Sequence, residues 1–306
     1  MKTDHRHSTA DKIRQYRVEE NTELLAFLFE TLKDHSRSDV KKLLTHRHIS
    51  LRGKAETRYN TPLLKGDIVE INFTRSYFQF KNPDLKILYE DGWIIVVEKA
   101  SGLLSVPNPS AASQKRNAWK FVKDYVQRKE PDTGVFVCHR LDQYTSGILL
   151  FAKVEGIARQ MREHWNEYVK ERKYYCVTEV IPEKPKDELR SMLKEDNRFH
   201  MYSTDDENDD SAHLAVTRYR TVKTAGRFAL LDVDILTGKK NQIRVQLAEN
   251  GYPIAGDKKY GAETDPAGRL MLHNYKFSFS HPITGKAMSF TVPVPSCFNN
   301  LFKERE

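Results

Sequence analysis

Residues 135–153 read VFVCHRLDQYTSGILLFAK, and this stretch is the most informative part of the chain. Two apolar runs of strand length flank a polar cluster, which predicts two strands of one sheet joined by a functional loop. Loops at strand ends are where scaffolds hold reactive side chains. Asp142 stands in this loop, and a half-buried carboxylate requires a cationic partner or the loss of its charge. The alternative is that Asp142 only caps the turn through Ser146 or the backbone.

The sequence around this stretch predicts one large α+β domain over residues 87–302. A β-hairpin is expected around the turn Asp91-Gly92. Strands adjoin in hairpins more often than they alternate with helices, so the sheet should be mixed and mainly antiparallel. The polar stretch 182–213, which contains the acidic run 204–210, is predicted to be a solvated loop. The remaining expected strands lie at 135–137, 148–152, 174–180, 229–235 and 290–294, and the expected helices at 117–128, 155–170 and 240–249.

Three segments precede the large domain. Residues 1–20 are polar and without periodicity, which predicts a flexible tail. Residues 21–75 predict a small α/β domain, whose second helix starts at Ser36 because Ser at the cap and Asp39 three residues on can satisfy free amides. Residues 76–86 are expected to link the two domains.

The composition limits the classes of function. The net charge is +8 and the isoelectric point is near 9.2, which favours polyanionic partners without proving them. No apolar run has the length of a membrane span, and the first residues do not resemble a secretory signal. The three cysteines are scattered and show no zinc spacing, so we expect a cytoplasmic protein with no bound metal.

The loop sequence HRLDxxTSG, followed by four apolar residues, Ala and Lys, closely resembles the catalytic motif of the RluA family of pseudouridine synthases. Other segments that resemble family motifs follow the family's order: IVVEKASGL at 95–103, RKY at 172–174, TGKKNQIR at 237–244, GDKKYG at 256–261 and LMLH at 270–273. The family's usual residues are replaced at three positions, by Ala100, Lys239 and Asn241. The resemblance covers residues 87–295 and implies the family's fold and activity.

The resemblance also implies roles for four residues. Asp142 corresponds to the catalytic carboxylate, as nucleophile or as the group that stabilises charge at the anomeric carbon, and Arg244 to the cation that holds it. Tyr174 corresponds to a general base or a packing partner beneath the uracil. Arg140 matches the position that fills the gap left by the flipped base, although it could instead clamp a phosphate. The isomerisation needs no redox change and no group donor, so no cofactor is expected.

The small domain carries a second resemblance. Residues 36–71 resemble the alpha-L RNA-binding domain of a ribosomal small-subunit protein and of many RNA-modifying enzymes. In that family, basic residues of the second helix and the following turn contact RNA phosphates. The alternative for any single residue is an ordinary solvated charge. The corresponding residues here are Arg37, Lys41, Lys42 and Lys54.

The expected partner is therefore structured RNA. The basic charge and the attached small domain favour large-subunit ribosomal RNA over transfer RNA as the substrate. Two alternatives are a non-catalytic RNA-binding factor in ribosome assembly, which would be indicated by loss of Asp142 or Arg244, and a glycosidase, which would need a second positioned carboxylate. Asp257 is the candidate for that carboxylate, but its Gly-Asp-x-x-Tyr-Gly setting indicates a structural turn. We expect a monomer.

Overall fold

The computed structural model describes residues 13–74, 77, 80–206 and 209–303. Residues 1–12 of the expected tail, four residues of 75–79 and residues 207–208 of the acidic run lie outside the described part. The chain divides into two compact units. The first contains residues up to 81 together with 124–133, and the second contains 82–123 and 134–306.

The first unit has two short helices and six short strands among its described residues. Its apolar core gathers Leu24 and Leu28 from the first helix, Val40 and Leu44 from the second, and Ile71 from the longest following strand. Ser36 caps the second helix by accepting a hydrogen bond from the Asp39 amide at 3.1 Å, as the sequence predicts. In chain order the elements are β1 Ile13–Arg17, β2 Thr22–Glu23, α1 Leu24–Thr31, α2 Arg37–Thr45, β3 Ile49–Leu51, β4 Lys54–Ala55, β5 Pro62–Leu63 and β6 Ile68–Asn72.

The prediction of a loose tail up to residue 20 is wrong for β1. This strand pairs antiparallel with β6 over all five of its residues. Its side chains are mostly exposed, so it shows no alternation of apolar and polar residues. The backbone ladder stabilises the strand, and a ladder leaves no apolar pattern in the sequence.

The second unit is built on an eleven-stranded sheet in the described part of the chain. Its elements are β7 Leu85–Glu90, β8 Ile94–Lys99, α3 Ala111–Lys115, α4 Ala118–Lys129 (whose last residues belong to the first unit), β9 Phe136–Val137, β10 Ser146–Ala152, α5 Glu155–Glu163, α6 Trp165–Tyr168, β11 Val169–Thr178, β12 Lys186–Glu195, β13 Met201–Thr204, β14 His213–Ala225, β15 Phe228–Ile235, α7 Gln242–Glu249, a 3-10 turn Lys258–Tyr260, β16 Leu272–Ser280, β17 Ala287–Thr291 and α8 Ser296–Asn300.

The strand order along the sheet is β13-β12-β14-β15-β11-β16-β10-β8-β7, with β17 beside β16 and β9 beside β10. Among the pairings between these strands in the described part of the chain, β10 with β16 is the single parallel one. At that junction Gly147 has φ +126°, and a Cβ there would overlap the backbone carbonyl of Asn274. Only glycine therefore lets the two strands approach. The predicted α+β fold with a mixed, mainly antiparallel sheet is confirmed.

Two predictions about this unit are wrong. The stretch 182–213 contains β12 and β13 rather than one solvated loop. Most side chains of β12 are exposed or half-buried, so its composition is that of a loop although its backbone pairs with both β13 and β14. The helix expected at 155–170 ends at Glu163, and after the short α6 the chain enters β11 at Val169.

No helix in the described residues has both the length and the apolar character needed to cross a membrane.

Candidate active site

The loop between β9 and β10 brings Asp142 to the wall of a cavity of about 1150 Å³ in the second unit. The backbone on both sides of Asp142 is fixed. The Ser105 hydroxyl donates to the carbonyl of Leu141 at 2.6 Å and accepts from its amide at 3.0 Å. The carbonyl of Gln143 accepts from the Gly102 amide at 2.9 Å and from Lys99 Nζ at 3.0 Å. These bonds hold the carboxylate in one place before any substrate binds.

Lys99 is fully buried, and its ammonium serves the loop rather than the cavity. Besides Gln143 it donates to the carbonyls of Ala100 and Leu103 at 2.9 and 2.8 Å. Burial lowers the pKa of Lys99 to about 7, and the nearby Arg269 acts in the same direction. Three carbonyl partners account for its position, so Lys99 is a structural residue of the loop.

The carboxylate of Asp142 is anchored through one oxygen. Oδ2 accepts a hydrogen bond from Asn241 Nδ2 at 2.6 Å and one from Arg244 Nη1 at 3.3 Å. Among the described residues no hydrogen bond reaches Oδ1. The side chain is 30% exposed, so it is half-buried but accessible from the cavity. Asp142 does not cap the turn through the Ser146 side chain, because the Ser146 hydroxyl bonds His273 and Arg269 instead.

Arg244 lies on α7 and meets two carboxylates. Its Nε and Nη2 donate to Asp257 Oδ2 and Oδ1, both at 2.7 Å, while Nη1 reaches Asp142. The two-pronged contact expected for an arginine and a carboxylate is thus made with Asp257, which is 2% exposed. Burial lowers the pKa of Arg244, but the hydrogen bonds and charge of Asp257 and Asp142 outweigh it, so the net shift is upward. Arg244 is therefore a fixed cation.

Asn241 stands just before α7 in the left-handed conformation, with φ +51°. Asparagine is among the non-glycine residues that tolerate this region best. Its Oδ1 accepts from the Tyr260 hydroxyl at 3.0 Å while its Nδ2 donates to Asp142. This contact fixes which amide atom faces Asp142, because a hydroxyl donor on one side leaves the amino group for the other. Asn241 therefore orients the carboxylate, and its amide does so without titrating.

Tyr174 and Arg172 project from β11 into the same cavity. Tyr174 is 7% exposed, and burial raises its pKa to about 12, although the neighbouring charge of Arg172 acts in the opposite direction. Arg172 donates from Nη2 to the carbonyl of Thr237 at 3.0 Å and lies 5.5 Å from the centre of the Trp165 ring. Burial lowers the pKa of Arg172.

The remaining predicted residues divide between the two units. Arg140 is exposed and lines the cavity. The lining also contains the cationic residues Arg162, Arg172 and Lys240. Arg172 and Lys240 had been noted only as parts of motifs and Arg162 not at all, because a basic residue carries no sign of the face it will join. The four predicted RNA-binding residues of the first unit are exposed and lie outside the cavity lining; they are Arg37, Lys41, Lys42 and Lys54.

Three site residues were missed or misread in the sequence. Asn241 was noted only as a departure from a motif, Asp257 was interpreted as a turn residue, and Tyr260 was noted only as part of the motif GDKKYG. Their contacts join side chains 13 to 99 residues apart in the chain, and local patterns do not encode such contacts. In the described residues no group of three or more His, Cys, Asp or Glu side chains is placed to hold a metal ion.

Known proteins resemble this chain in sequence. Residues 93–249 match the family model for RNA pseudouridylate synthase. The chain is 32% identical to the dual-specificity RNA pseudouridine synthase RluA of Vibrio cholerae, over 70% of this chain and 84% of that protein. It is 26% identical to ribosomal large subunit pseudouridine synthase D of Neisseria meningitidis, over 88% and 75%, and 28% identical to tRNA pseudouridine synthase C of Salmonella typhi, over 67% and 83%.

Solved structures share the fold at lower identity. Human RNA pseudouridylate synthase domain containing 1 aligns with a TM-score of 0.56 at 18% identity, covering 72% of this chain and 90% of that one. Human RNA pseudouridylate synthase domain containing 4 aligns with a TM-score of 0.55 at 21% identity, covering 69% and 89%. Taken with the family model and the relative at 32% identity, the chain belongs to the RluA family of RNA pseudouridine synthases and is an isomerase that acts on RNA.

Proposed function

We propose that Asp142 is the catalytic carboxylate and acts at the ribose C1′ of a uridine bound in the cavity. The observation that carries this assignment is the anchoring of Oδ2 by Asn241 and Arg244, which leaves Oδ1 for the substrate. A carboxylate held in this way beside a fixed cation loses little freedom during the reaction. Arg244 in turn cannot move toward Asp142, because Asp257 holds two of its nitrogens.

The isomerisation is balanced without any co-reactant. The bond from uracil N1 to C1′ breaks, and its electron pair stays on the base while Asp142 stabilises or attacks C1′. The base then turns and C5 forms the new bond to C1′. The C5 proton must leave, and N1 must take up a proton. A carboxylate for the sugar and one base for C5 are therefore the protein groups that the chemistry requires.

Tyr174 is assigned as the base that accepts the C5 proton. It lines the cavity, lies within electrostatic range of Asp142, and has Arg172 beside it to stabilise a phenolate. Its raised pKa means that the phenolate is scarce at neutral pH. A step that uses it should therefore accelerate as the pH rises.

Arg140 is assigned to the space that the target base leaves when it flips out of the RNA stack. It is exposed at the rim of the cavity and only two residues from Asp142, and its planar guanidinium can stack on neighbouring bases. Arg162 and Lys240 contribute further positive charge to the lining, which favours the phosphates on either side of the flipped nucleotide.

The first unit is proposed to be an RNA-binding domain of the alpha-L type. Support comes from α2, which buries Val40 and Leu44 in the core and leaves Arg37, Lys41 and Lys42 exposed. Lys54 is exposed at the first position of β4, directly after the β3–β4 turn. Exposed cations on one helix and the next turn suit contact with RNA phosphates.

The proposed substrate is large-subunit ribosomal RNA. The relative from Neisseria meningitidis that is named for the large ribosomal subunit matches 88% of this chain. A match of that extent must include part of the first 81 residues, which belong to the first unit. The relative named for transfer RNA is matched over 67% of this chain. The first unit thus favours the ribosomal substrate.

The test is pseudouridine mapping by carbodiimide labelling and reverse transcription, on total RNA from cells with and without the gene and from cells complemented with Asp142→Asn. We expect one or a few large-subunit sites to disappear without the gene, to return with the wild type and to stay absent with Asp142→Asn. Loss of transfer-RNA sites instead would overturn the substrate assignment. Return of the sites with Asp142→Asn would overturn the catalytic one.

A further inference from the structure

The loop between β12 and β13 presents an aromatic ring to solvent. Phe199 lies in this five-residue loop and is 71% exposed, more than any other large hydrophobic side chain in the described part of the chain. A ring exposed to this extent contributes little to the stability of the fold through burial. Packing in the core therefore does not explain why a phenylalanine occupies this position.

The backbone of Phe199 is in the left-handed region, with φ +61°. This position follows a turn in which the Phe199 amide donates to the Asp196 carbonyl at 3.0 Å, and Asp196 Oδ1 accepts from the amides of Arg198 and His200, both at 2.8 Å. Glycine or asparagine suits such a position best, and a bulky residue there is strained. The turn thus holds an exposed phenyl ring where folding alone favours a smaller residue.

One cationic side chain lies over this ring, and another bonds its backbone. Lys240 Nζ lies 5.5 Å from the ring centre, and Lys259 Nζ donates to the Phe199 carbonyl at 2.8 Å. Lys240 is also paired with Glu195, whereas Lys259 and the exposed Arg198 make no ion pair with the described residues. An aromatic ring among cations is the arrangement that single-stranded RNA-binding proteins use to stack a base and hold its phosphates.

The loop that carries Phe199 also contacts residues of the cavity lining. Lys240 lines the cavity and directly precedes Asn241, which bonds Asp142. The same loop packs His200 against Tyr260, with ring centres 4.6 Å apart, and Tyr260 bonds Asn241. Phe199 is therefore joined through direct contacts to the residues that orient the carboxylate.

We propose that Phe199 is a stacking platform for an unpaired nucleobase of the substrate RNA, close to the uridine that enters the cavity. Flipping one base out of a stack leaves its neighbours without a partner, and an exposed ring beside the cavity can replace the lost stacking. The inference rests on the cavity being the uridine site. It adds a base-recognition residue that the reaction chemistry does not require.

The test is fluorescence anisotropy of the full chain with a labelled 12-nucleotide oligouridylate and with an abasic oligonucleotide of the same length. Phe199→Leu keeps an apolar side chain and the strained backbone but lacks an aromatic ring. Phe199→Gly removes both the ring and the backbone strain, and Phe199→Trp keeps an aromatic ring. Trp93→Ala is the matched control, because Trp93 is also an exposed aromatic residue. Asp142 lies before the first residue of β10 and Trp93 lies near its last residue, so the length of this strand, about 20 Å, separates them.

We expect Phe199→Leu and Phe199→Gly to weaken oligouridylate binding roughly 5- to 150-fold, the range for loss of one stacked base, with no change for the abasic strand. Phe199→Trp and Trp93→Ala should bind as the wild type does. Phe199→Gly should also raise the melting temperature by about 2–4 °C, because the backbone strain is relieved. If Phe199→Gly binds RNA more weakly but is more stable, the Phe199 side chain contributes to RNA binding and not to the stability of the fold.

Unchanged oligouridylate binding in Phe199→Leu would overturn the proposal and leave the exposed ring for a protein partner. An equal loss for the abasic strand would also overturn it, because the effect would then not depend on a base. These measurements need no turnover. Their failure is therefore distinguishable from failure of the proposed function, which pseudouridine mapping reports separately.

Discussion

The cavity wall of the second unit and helix α2 of the first unit both present basic side chains, but they hold them differently. Arg244 has a side chain 9% exposed and lies between two carboxylates. Lys42 has a side chain 65% exposed, and its single ion pair, with Asp39, spans 3.7 Å. The cation in the wall is fixed in position, whereas the cation on the helix is solvated and free to move.

The difference shows two uses of positive charge. A buried, fully bonded cation can set the position of a reacting carboxylate, and its removal leaves other groups buried and unpaired. An exposed lysine contributes to affinity by displacing counterions from RNA, and its removal leaves the fold intact. Substitutions in the two regions should therefore differ in size and in the quantity they change.

Asp142→Asn should produce the largest effect. We expect kcat to fall at least ~10³-fold, because the proposed role of the carboxylate is to act directly on the ribose. Stability and RNA affinity should change little, since the side chain is half-buried and Arg244 keeps its two bonds to Asp257. Single-turnover assays on the mapped RNA measure the effect. Asp187→Asn, which changes a half-buried carboxylate that is paired with Lys184 and lies outside the cavity lining, is the control.

Arg244→Ala should destabilise the protein most. Asp257 would stay buried without a partner, and breaking such a pair costs about 3–5 kcal/mol of unfolding free energy. The control is Arg220→Ala, whose side chain is 68% exposed and 3.1 Å from Asp232, with an expected cost of about 0–1 kcal/mol. Urea unfolding compares the two. Equal costs would mean that the contrast between buried and exposed cations does not hold.

Tyr174→Phe should lower kcat by roughly 10²-fold, the lower range for loss of a general base. Burial raises the pKa of Tyr174 to about 12, so the phenolate fraction rises tenfold per pH unit below that value. The wild-type single-turnover rate should therefore increase from pH 6 to pH 9, and the variant should lose this increase. A variant that keeps the wild-type pH profile would assign the ring to packing alone.

Asn241→Ala should lower kcat roughly 10-fold with little change in KM, because one hydrogen bond to a charged group is lost while the substrate contacts remain. Asn241→His should restore most of the rate, since an imidazole can donate to Asp142 as well. Tyr260→Phe removes only the outer bond to Asn241 and should have a smaller effect. If Asn241→His were as slow as Asn241→Ala, the amide would have another role.

The double substitution Lys41→Ala and Lys42→Ala should have the smallest effect on the protein itself. We expect weaker RNA binding, with kcat and stability unchanged. The slope of the logarithm of the binding constant against the logarithm of the salt concentration should become shallower by about two. Binding titrations at several salt concentrations measure this. Lys184→Ala, an exposed lysine of the second unit, is the control. A salt slope unchanged by the double substitution would show that α2 does not meet RNA phosphates.

The sequence predicted the local features well. Apolar runs of strand length and the turn residues between them placed β7, β8, β9 and β10, because such patterns reflect one buried strand at a time. Strands with exposed side chains escaped this reasoning. β1 and β12 have largely exposed side chains and are stabilised by backbone pairing with β6 and with β13 and β14, which no local pattern records.

The sequence by itself determined the α+β class, the loop that carries Asp142 and, through its motifs, the kind of chemistry. Only the tertiary structure decided that Arg244 makes two bonds to Asp257 and one to Asp142, that Asn241 completes the anchor of Oδ2, and that Phe199 is exposed near the cavity lining. The anchoring bonds join residues 99 and 102 positions apart. A residue type and its spacing specify the local backbone, whereas side-chain partners at that separation are chosen by the packing of the whole sheet.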